Sequence, residues 1–544
     1  MNKLLCFLLL GLVPFAMKGQ YQPQLQPFPD DVNDTLSINA IQALFHATGD
    51  MFYDMDGRAI YRHNATDSLN TLFAGNLWVG ALDVSGTIRS SGQTYRQNDN
   101  NHQPGPVSNL YDSLYNERYH QVWKIRKATI DQHIANWQAP GYIVPSSLTD
   151  WPAHGDTARQ EAYYLAPFVD VNGSGTYEPE LGDYPAMRGD EALYIMFNDD
   201  RYSPFPALQM ETHLMAYAYD TPGDSILNKS IFLHYQLFNR SNQLYQDAWI
   251  GYWSDLELGY AFDDDFGTDS LLHTLYVYNR DSIDGYSTNP GFGYGYGEHP
   301  PAQGITMLNL PLSATMSYYV DFTDDSIGGP LFGEDFYYLL QGRWKDDQPV
   351  TVGGRGRGGS QTTTYFLSGD PVSGTGWLPH DSASVFFNQD RKDVKALMSH
   401  GPFDLAPGES ICMDLGLVYA RDMGRNHLGN LSLLREHINH VRNYYETQSE
   451  NCLQNPNNRP TAPIPDKQFL LFPNPTSDLV QLRWEAPFEW LAIYDIHGRL
   501  LRRTPISERQ KYLRLSTEEW VPGFYTIIMG GNGILSQQKL VKDQ

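Results

Sequence analysis

Ser230-Ile-Phe-Leu-His-Tyr-Gln-Leu-Phe238 is the stretch that most clearly decides the fold class. Apolar and polar residues alternate along it, and a period of two is typical of a β-strand. Aromatic residues make up 13% of the chain, which also favours a β-rich protein. Runs with a strand-like composition lie on both sides, at residues 50–57, 74–82, 191–197, 213–219, 248–253, 274–278, 336–340 and 411–419. The sequence therefore predicts an all-β protein whose large, sandwich-like body could comprise two sandwiches.

One segment near the end of the body departs from the strand pattern. Between about residues 428 and 445, apolar side chains recur at steps of three and four, which is typical of an amphipathic helix. Asn430 is a candidate N-cap. We expect this helix to pack on a sheet of the body, the alternative being an amphipathic helix that binds a partner. The apolar stripe comprises Leu431, Leu434, Ile438, Val441 and Tyr445.

A length of 544 residues predicts that the chain contains several domains. Residues 1–19 have Lys3 and an apolar run at 4–15, as in a secretory signal peptide. The body then divides into a β-rich part at 20–190 and a sandwich-like part at 191–454. A proline-rich linker at 455–467 precedes a small β domain at 468–544. No later apolar run is long enough for a transmembrane helix, so no transmembrane segment is expected.

The charge balance narrows the class of partners. A formal net charge of −25 repels phosphate backbones and argues against nucleic-acid binding, while it is compatible with divalent cations. Only Cys412 and Cys452 remain after removal of the signal peptide. They could pair in an oxidising compartment or remain as two buried thiols.

The C-terminal β domain carries a series of short motifs in a fixed order. The motif residues are Phe472, Pro473, Asn474, Pro475, Asp495, Gly498, Gly523, Tyr525, Lys539 and Lys542. They form Phe-Pro-Asn-Pro, then Tyr-Asp-x-x-Gly-Arg, then Gly-x-Tyr, then Lys-Leu-Val-Lys. This series resembles the type A sorting domain of the type IX secretion system, which implies a small Ig-like β-sandwich. It also implies a cargo that the secretion machinery carries across the outer membrane, to be released or held at the cell surface.

The body also resembles uncharacterised secreted proteins that carry the same tag. The matching stretches include Leu77-Trp-Val-Gly-Ala-Leu-Asp83, Leu165-Ala-Pro-Phe-Val-Asp-Val-Asn172 and Gly401-Pro-Phe-Asp-Leu-Ala-Pro-Gly408. This resemblance implies no known activity.

The segment Asp170-Val-Asn-Gly-Ser-Gly-Thr-Tyr-Glu-Pro-Glu-Leu-Gly-Asp183 is the strongest candidate for a metal site. Oxygen ligands at loop positions one, three and five, with glycine at six, suit a hard cation such as calcium. The loop resembles those of EF-hands and dockerins, but position five is serine and position twelve is Leu181. The candidate ligands are Asp170, Asn172, Ser174, Thr176, Glu180 and Asp183. The alternative is a turn-rich loop whose Asp and Asn side chains bind their own backbone.

The densest acidic run is residues 255–269. If its first part is a strand, Trp253, Asp255 and Glu257 share one face, with the carboxylates roughly 6.6 Å apart at the backbone. That spacing falls within the range of glycosidase carboxylate pairs, so the two acids are candidate catalytic residues. A second calcium site and a solvated acidic edge are the alternatives. The acids available for that second site are Asp263, Asp264, Asp265 and Asp269.

The usual motifs of other enzyme classes are incomplete. The glycine-rich run at 353–360 lacks the Gly-Lys-Ser/Thr of a phosphate loop, and His437 and His440 are not part of a His-Glu-x-x-His motif. Asp-Ser and Asp-Thr pairs recur and resemble a bacterial O-glycosylation signal, although they are also ordinary turn residues. The sequence thus favours a non-catalytic, calcium-stabilised protein that binds glycans, matrix or a surface protein. A secreted glycan-active enzyme that uses Asp255 and Glu257 is the alternative.

Overall fold

The computed structural model describes residues 32–63, 69–95, 102–201, 207–285, 295–318, 326–379, 394–448, 469–472, 476–477, 479–484, 488–495, 500–507, 511–518, 520–531 and 534–542. The signal peptide predicted at 1–19 and the linker predicted at 455–467 lie outside these residues.

The described part of the body consists mainly of antiparallel strands. In chain order they are β1 (Asn33–Leu36), β2 (Ile41–His46), β3 (Tyr61–His63), β4 (Ala74–Leu82), β5 (Ile88–Ser91), β6 (Gln103–Pro104), β7 (Trp123–Arg126), β8 (Phe168–Val169), β9 (Tyr184–Pro185), β10 (Glu191–Asn198), β11 (Met210–Ala218), β12 (Ser230–Asn239), β13 (Tyr245–Leu256), β14 (Asp264–Asp269), β15 (Thr274–Asn279), β16 (Ile283–Asp284), β17 (Gly297–Glu298), β18 (Ala302–Met307), β19 (Ala314–Tyr318), β20 (Val394–Leu405) and β21 (Ser410–Ala420).

Helices are fewer and mostly short. They are α1 (Ser113–Tyr119), α2 (Lys127–Asn136), α3 (Ser146–Thr149), α4 (Gly333–Leu340) and α5 (His427–Thr447). Within the described residues, none combines the length and apolarity needed to cross a membrane.

Two sheets form the centre of the body. The large sheet has the order β14-β15-β18-β21-β12-β11-β10-β6, with β7 also paired to β10, and the small sheet has the order β19-β20-β13-β4-β5. Apolar side chains from both sheets belong to one buried cluster, as Ile195 and Leu233 of the large sheet and Leu77 and Met398 of the small sheet show. The sheets therefore face each other across a common core, which confirms the predicted β-sandwich. Strands from both sides of residue 190 belong to each sheet, so both parts of the predicted body contribute to the sandwich.

The large sheet is buried on both faces. Along β10, Leu193 and Ile195 point into the sandwich, whereas Tyr194 and Met196 belong to a second apolar cluster on the opposite face. Successive strand residues point to opposite faces, so the two clusters take alternate residues. This arrangement explains why Ala192–Phe197 of β10 and Leu214–Ala218 of β11 are continuously apolar or aromatic instead of alternating with solvent-facing polar residues.

Helix α5 covers part of that second face. Its predicted apolar stripe is buried against β18 and β21 in the second cluster, so the packing inferred from the sequence is confirmed. The N-cap assignment to Asn430 is wrong, because the side chain of Asn426 accepts the cap hydrogen bond from Gly429 N. Asn430 lies in the first turn and donates from Nδ2 to Pro300 O at 2.9 Å.

The strand predicted at residues 336–340 is a helix, α4. Its apolar run is too short for periodicity to distinguish a strand from a buried helical face. The deciding residue is Asp335, whose Oδ2 accepts from Leu331 N at 2.7 Å and from Phe332 N at 2.9 Å. This carboxylate satisfies backbone donors at the helix start, and α4 then packs against β4 and β5 of the small sheet.

The C-terminal β domain has two sheets of its own. Its strands are β22 (Phe469–Phe472), β23 (Leu479–Trp484), β24 (Trp490–Asp495), β25 (Leu500–Pro505), β26 (Tyr512–Ser516), β27 (Gly523–Gly531) and β28 (Ile534–Lys542). The sheet orders are β22-β23-β26 and β25-β24-β27-β28. Side chains from both sheets, including Val480, Leu482, Ile493 and Ile527, form one buried cluster. This is the predicted small β-sandwich.

Candidate functional site

The loop predicted to bind calcium connects β8 to β9, which pair as an antiparallel hairpin. Asp170, the first residue after β8, accepts three backbone N–H groups. Its Oδ1 accepts from Gly173 at 2.7 Å and from Ser174 at 3.1 Å, and its Oδ2 accepts from Gly175 at 2.7 Å. Gly175 has φ +78°, a left-handed conformation that suits glycine and permits this tight path. The loop therefore folds around the Asp170 carboxylate.

The far end of the loop is held by a second carboxylate. Asp183 is fully buried, and its two oxygens accept from Val171 N and Glu178 N, each at 2.8 Å. Asn172 Oδ1 accepts from Ser174 N at 2.8 Å, and the Thr176 carbonyl accepts from Ser174 Oγ at 3.0 Å. Glu180 lies exposed in a single 3-10 turn, Pro179–Leu181. The six predicted ligands thus lie along one loop, where Asp170 and Asp183 already accept backbone N–H groups. Among the residues that the structure describes, Asp170, Glu180 and Asp183 do not converge as a group that could share a metal ion.

Asp255 lies inside the sandwich. Only 1% of its side chain is exposed, and its Oδ1 is 2.7 Å from Nζ of Lys395, which is 4% exposed. The hydroxyl of Tyr95 donates to Asp255 Oδ2. The ammonium group of Lys395 also lies 5.4 Å from the centre of the Tyr95 ring. Asp255 is therefore part of a buried ion pair between neighbouring strands of the small sheet.

Glu257 is not on the same strand as Asp255. Strand β13 ends at Leu256, so the alternation that would place both carboxylates on one face does not reach Glu257. The Glu257 carbonyl accepts from Nδ2 of Asn70 at 2.9 Å, which ties this turn to the N-terminal part of the body.

The rest of the acidic run separates into several environments. Asp265 is an ion-pair partner of Arg280 at 3.4 Å, and Asp269 caps a turn by accepting from Leu271 N and Leu272 N. Asp263 and Asp264 instead lie together with Asp284, a residue that the sequence patterns did not indicate. Burial raises the pKa of Asp263 to about 6 and that of Asp284 to about 7, although both accept backbone hydrogen bonds.

The large sheet and α5 share a further buried cluster that sequence patterns did not reveal. Asp414 on β21 lies 2.6 Å from His234 Nδ1 and 3.4 Å from Arg188 Nη1. These residues are distant in sequence, and only the pairing of β12 with β21 places His234 opposite Asp414. The two α5 histidines named above have separate partners: His437 contacts Tyr419 O at 3.0 Å, and His440 contacts Asp224 at 2.6 Å.

The predicted sorting motifs fall on the strands of the C-terminal domain and on the segments that connect them. Phe472 and Asp495 end β22 and β24, Gly523 begins β27, and Lys542 ends β28. Tyr525 on β27 is buried, and its hydroxyl donates to Val521 O at 2.6 Å. Lys539 pairs with Thr526 in the β27–β28 ladder. Pro473, Asn474, Pro475 and Gly498 lie outside the described residues.

Residues 470–543 match the family described as the secretion system C-terminal sorting domain. The chain carries a type IX sorting domain. The match spans the two-sheet C-terminal domain and the four motifs, so the resemblance drawn from the sequence is confirmed. A sorting domain of this kind marks the protein as a cargo of type IX secretion, exported to the cell surface or released.

Comparison with other known proteins adds no further family. No curated protein matches the chain. A polysaccharide lyase structure is similar over 70% of this chain and 37% of its own length, at 9% identity and a TM-score of 0.20. The chain thus spans about a third of that lyase. A putative aldose 1-epimerase from Escherichia coli K12 is similar over 72% of this chain and all of its own length, at 9% identity and a TM-score of 0.26.

Proposed function

We propose that the body of this type IX cargo is a non-catalytic binding or structural component of the cell surface or the secreted medium, stabilised by calcium. The observation that carries the proposal is the environment of Asp255. A carboxylate that is 1% exposed and paired with Lys395 serves to hold strands together and cannot contact a polysaccharide chain in this conformation. The buried ion pair therefore gives Asp255, the acid that the sequence offered as a catalytic candidate, a structural role.

The calcium part of the proposal rests on the β8–β9 loop. Asp170, Asn172 and Ser174 occupy the ligand positions of a calcium loop, and Gly175 adopts the left-handed conformation that such loops need at position six. Asp170 Oδ2 and both oxygens of Asp183 each accept a single backbone N–H, so each has a second lone pair available for a cation. Calcium would fix the loop to the surface of the body, and glycans, matrix or surface proteins are the partners proposed for that surface.

An assay that separates binding from catalysis tests the proposal. The mature full-length protein is incubated with a panel of polysaccharides in calcium, and both retention on the glycan and release of reducing ends are measured. We expect no release of reducing ends. Glu257→Gln serves as the matched variant, because Glu257 is the more accessible of the two candidate acids. Reducing ends that appear with the wild type and vanish with Glu257→Gln would make the protein a glycosidase and overturn the proposal.

A further inference from the structure

The edge of the large sheet holds an acid and an amide side by side. Asp264 begins the edge strand β14 and pairs directly with Asn279, the last residue of β15. Directly paired residues of antiparallel strands carry their side chains on the same face, with Cβ atoms about 5 Å apart. Both residues are fully buried. Phe266 and Val277, two residues further along the same face, belong to the sandwich core, so this pair lies at the rim of that core.

One oxygen on each of these side chains receives no hydrogen bond from the described residues. Asp264 Oδ2 accepts from Leu258 N at 2.8 Å, but no donor reaches Oδ1. Asn279 Nδ2 donates to Asp281 O at 3.1 Å, and its Oδ1 also lacks a donor. The neighbouring Asp263 repeats the pattern, since Oδ2 accepts from Gly285 N at 2.8 Å while Oδ1 accepts nothing. Buried polar groups are normally satisfied, so the unpaired oxygens of the directly paired Asp264 and Asn279, and of the adjacent Asp263, require an explanation.

The charge around these oxygens is negative. Asp284 adds a further carboxylate, whose oxygens accept from Tyr260 N at 3.0 Å and from Tyr296 N at 2.5 Å. Two guanidinium groups are near enough to offset part of this charge, Arg280 at Asp263 and Arg421 at Asp284, but each also has other partners. Arg280 is paired with Asp265, and Arg421 donates to the carbonyls of Tyr296 and His299. Ionised buried carboxylates are stable only when paired or bound to a cation.

We propose that Asp263, Asp264 and Asn279 bind a divalent cation of the calcium class, with Asp284 adding negative charge beside it. Two carboxylates and an amide give an oxygen-only donor set, which suits calcium better than zinc or copper. Within the described residues, no three His, Cys, Asp or Glu side chains stand close enough to share a metal ion, and here the third ligand is an asparagine. This site is separate from the β8–β9 loop and does not depend on calcium binding there.

The position of the site gives the ion a structural task. The two ligand carboxylates also accept backbone N–H groups of connecting segments, Asp264 from Leu258 and Asp263 from Gly285. The neighbouring Asp284 accepts from Tyr260 and Tyr296 in the same way. A cation would therefore fasten the segments that follow β13 and β16 to the open edge of the large sheet.

Calcium titration of the full-length mature protein, first treated with chelator, tests this assignment by calorimetry and thermal unfolding. We expect Asp264→Asn to lose one binding event per chain. This variant removes a buried charge and keeps an oxygen for Leu258 N, so it should fold and melt no lower than the wild type in chelator. The matched control is Asp265→Asn, on the opposite face of the same strand, which should keep the wild-type number of sites. Asp264→Asn with wild-type stoichiometry and affinity would overturn the assignment.

A second variant and a second probe make the test independent of that one substitution. Asn279→Leu keeps the side-chain volume but removes the amide oxygen, and calcium should bind at this site at least tenfold more weakly. Terbium luminescence excited through tyrosine, and displaced by calcium, reports binding to the wild type directly. Asp170→Asn should remove only the calcium-binding event of the β8–β9 loop and leave the event at the sheet edge. If calcium binding in the wild type is absent, or is abolished entirely by Asp170→Asn, the edge site is refuted.

Discussion

Nδ1 of His234 on β12 lies 2.6 Å from Oδ1 of Asp414 on β21, and the Tyr445 hydroxyl of α5 donates to the other oxygen of the same carboxylate. Asp414 is 1% exposed, and Arg188 approaches it to 3.4 Å. Burial opposes ionisation of Asp414, but His234 and Arg188 outweigh it and hold the pKa of this carboxyl well below its usual range. The sheet is therefore bound to α5 by a buried ionic cluster as well as by the apolar stripe.

Replacing Asp414 with asparagine should destabilise the body strongly. The substitution leaves Arg188 buried beside a neutral group, and breaking a buried ion pair from one side typically costs about 3–5 kcal/mol. The free energy of unfolding in urea measures the effect. Asp131→Asn is the control, because it breaks an ion pair with Lys127 in which both side chains are more than half exposed, and such pairs contribute about 0–1 kcal/mol. Equal losses in the two variants would contradict the role assigned to the cluster.

Protonation of Glu211 should make the body less stable in acid. Burial opposes its ionisation, but the Arg240 guanidinium and the hydrogen bond to His213 lower the pKa of Glu211 to about 2. The folded-state pKa is thus below the unfolded value, so this contribution to stability is present above about pH 4.5 and is lost as the pH falls toward 2. Glu211→Gln should unfold more easily at pH 7 and show a shallower loss of stability between pH 4.5 and 2. Parallel pH profiles for wild type and variant would contradict this assignment.

The strands could be predicted wherever local pattern and tertiary environment agree. The alternation in Ser230–Phe238 survives in β12 because Ile231, Leu233 and Tyr235 face the sandwich core. Asn426 was missed as the N-cap of α5 because Asn430 is also asparagine and lies nearer the first residue of the apolar stripe. Residues 336–340 were assigned wrongly because five apolar residues fit a strand and a buried helical face equally well, and Asp335 decides between them.

The candidate sites were predictable only where their residues are close in sequence. The β8–β9 loop could be found because its oxygen ligands recur within fourteen residues. The pairing of Asp264 with Asn279, and the approach of Asp284, depend on strand register and on a turn about twenty residues later. Asp255 was a reasonable catalytic candidate by spacing, but its partner Lys395 lies 140 positions away and is brought to it by the pairing of β13 with β20.

The disulfide of Cys412 should contribute to the stability of the body. Cys412 on β21 is disulfide-bonded. Of the two alternatives for the cysteines, a bridge or two buried thiols, the structure therefore favours the bridge. We predict Cys452 as its partner, since Cys6 lies in the predicted signal peptide. A loop of about 40 residues closed in this way is worth about 4 kcal/mol in the chain-entropy treatment. Reduction, or Cys452→Ser, should lower the melting temperature to the same extent. A Cys452→Ser protein that melts like the wild type under oxidising conditions would exclude this pairing.

Calcium bound in the β8–β9 loop should raise the melting temperature of the body, because a ligand that binds only the folded state stabilises it. At a calcium concentration one hundred times the Kd, the gain is about 2.7 kcal/mol. The quantity to measure is the difference between the melting temperature in calcium and the melting temperature in chelator. Asp170→Asn keeps an acceptor for part of the loop backbone but removes the charge, so it should lose the loop's share of this difference. Asp156→Asn, which alters a cap outside the loop, should keep it. The calcium-dependent rise in melting temperature could instead be unchanged in Asp170→Asn and absent in Asp264→Asn. That result would place the stabilising ion at the sheet edge, and the loop would then be a hairpin closed only by its own hydrogen bonds.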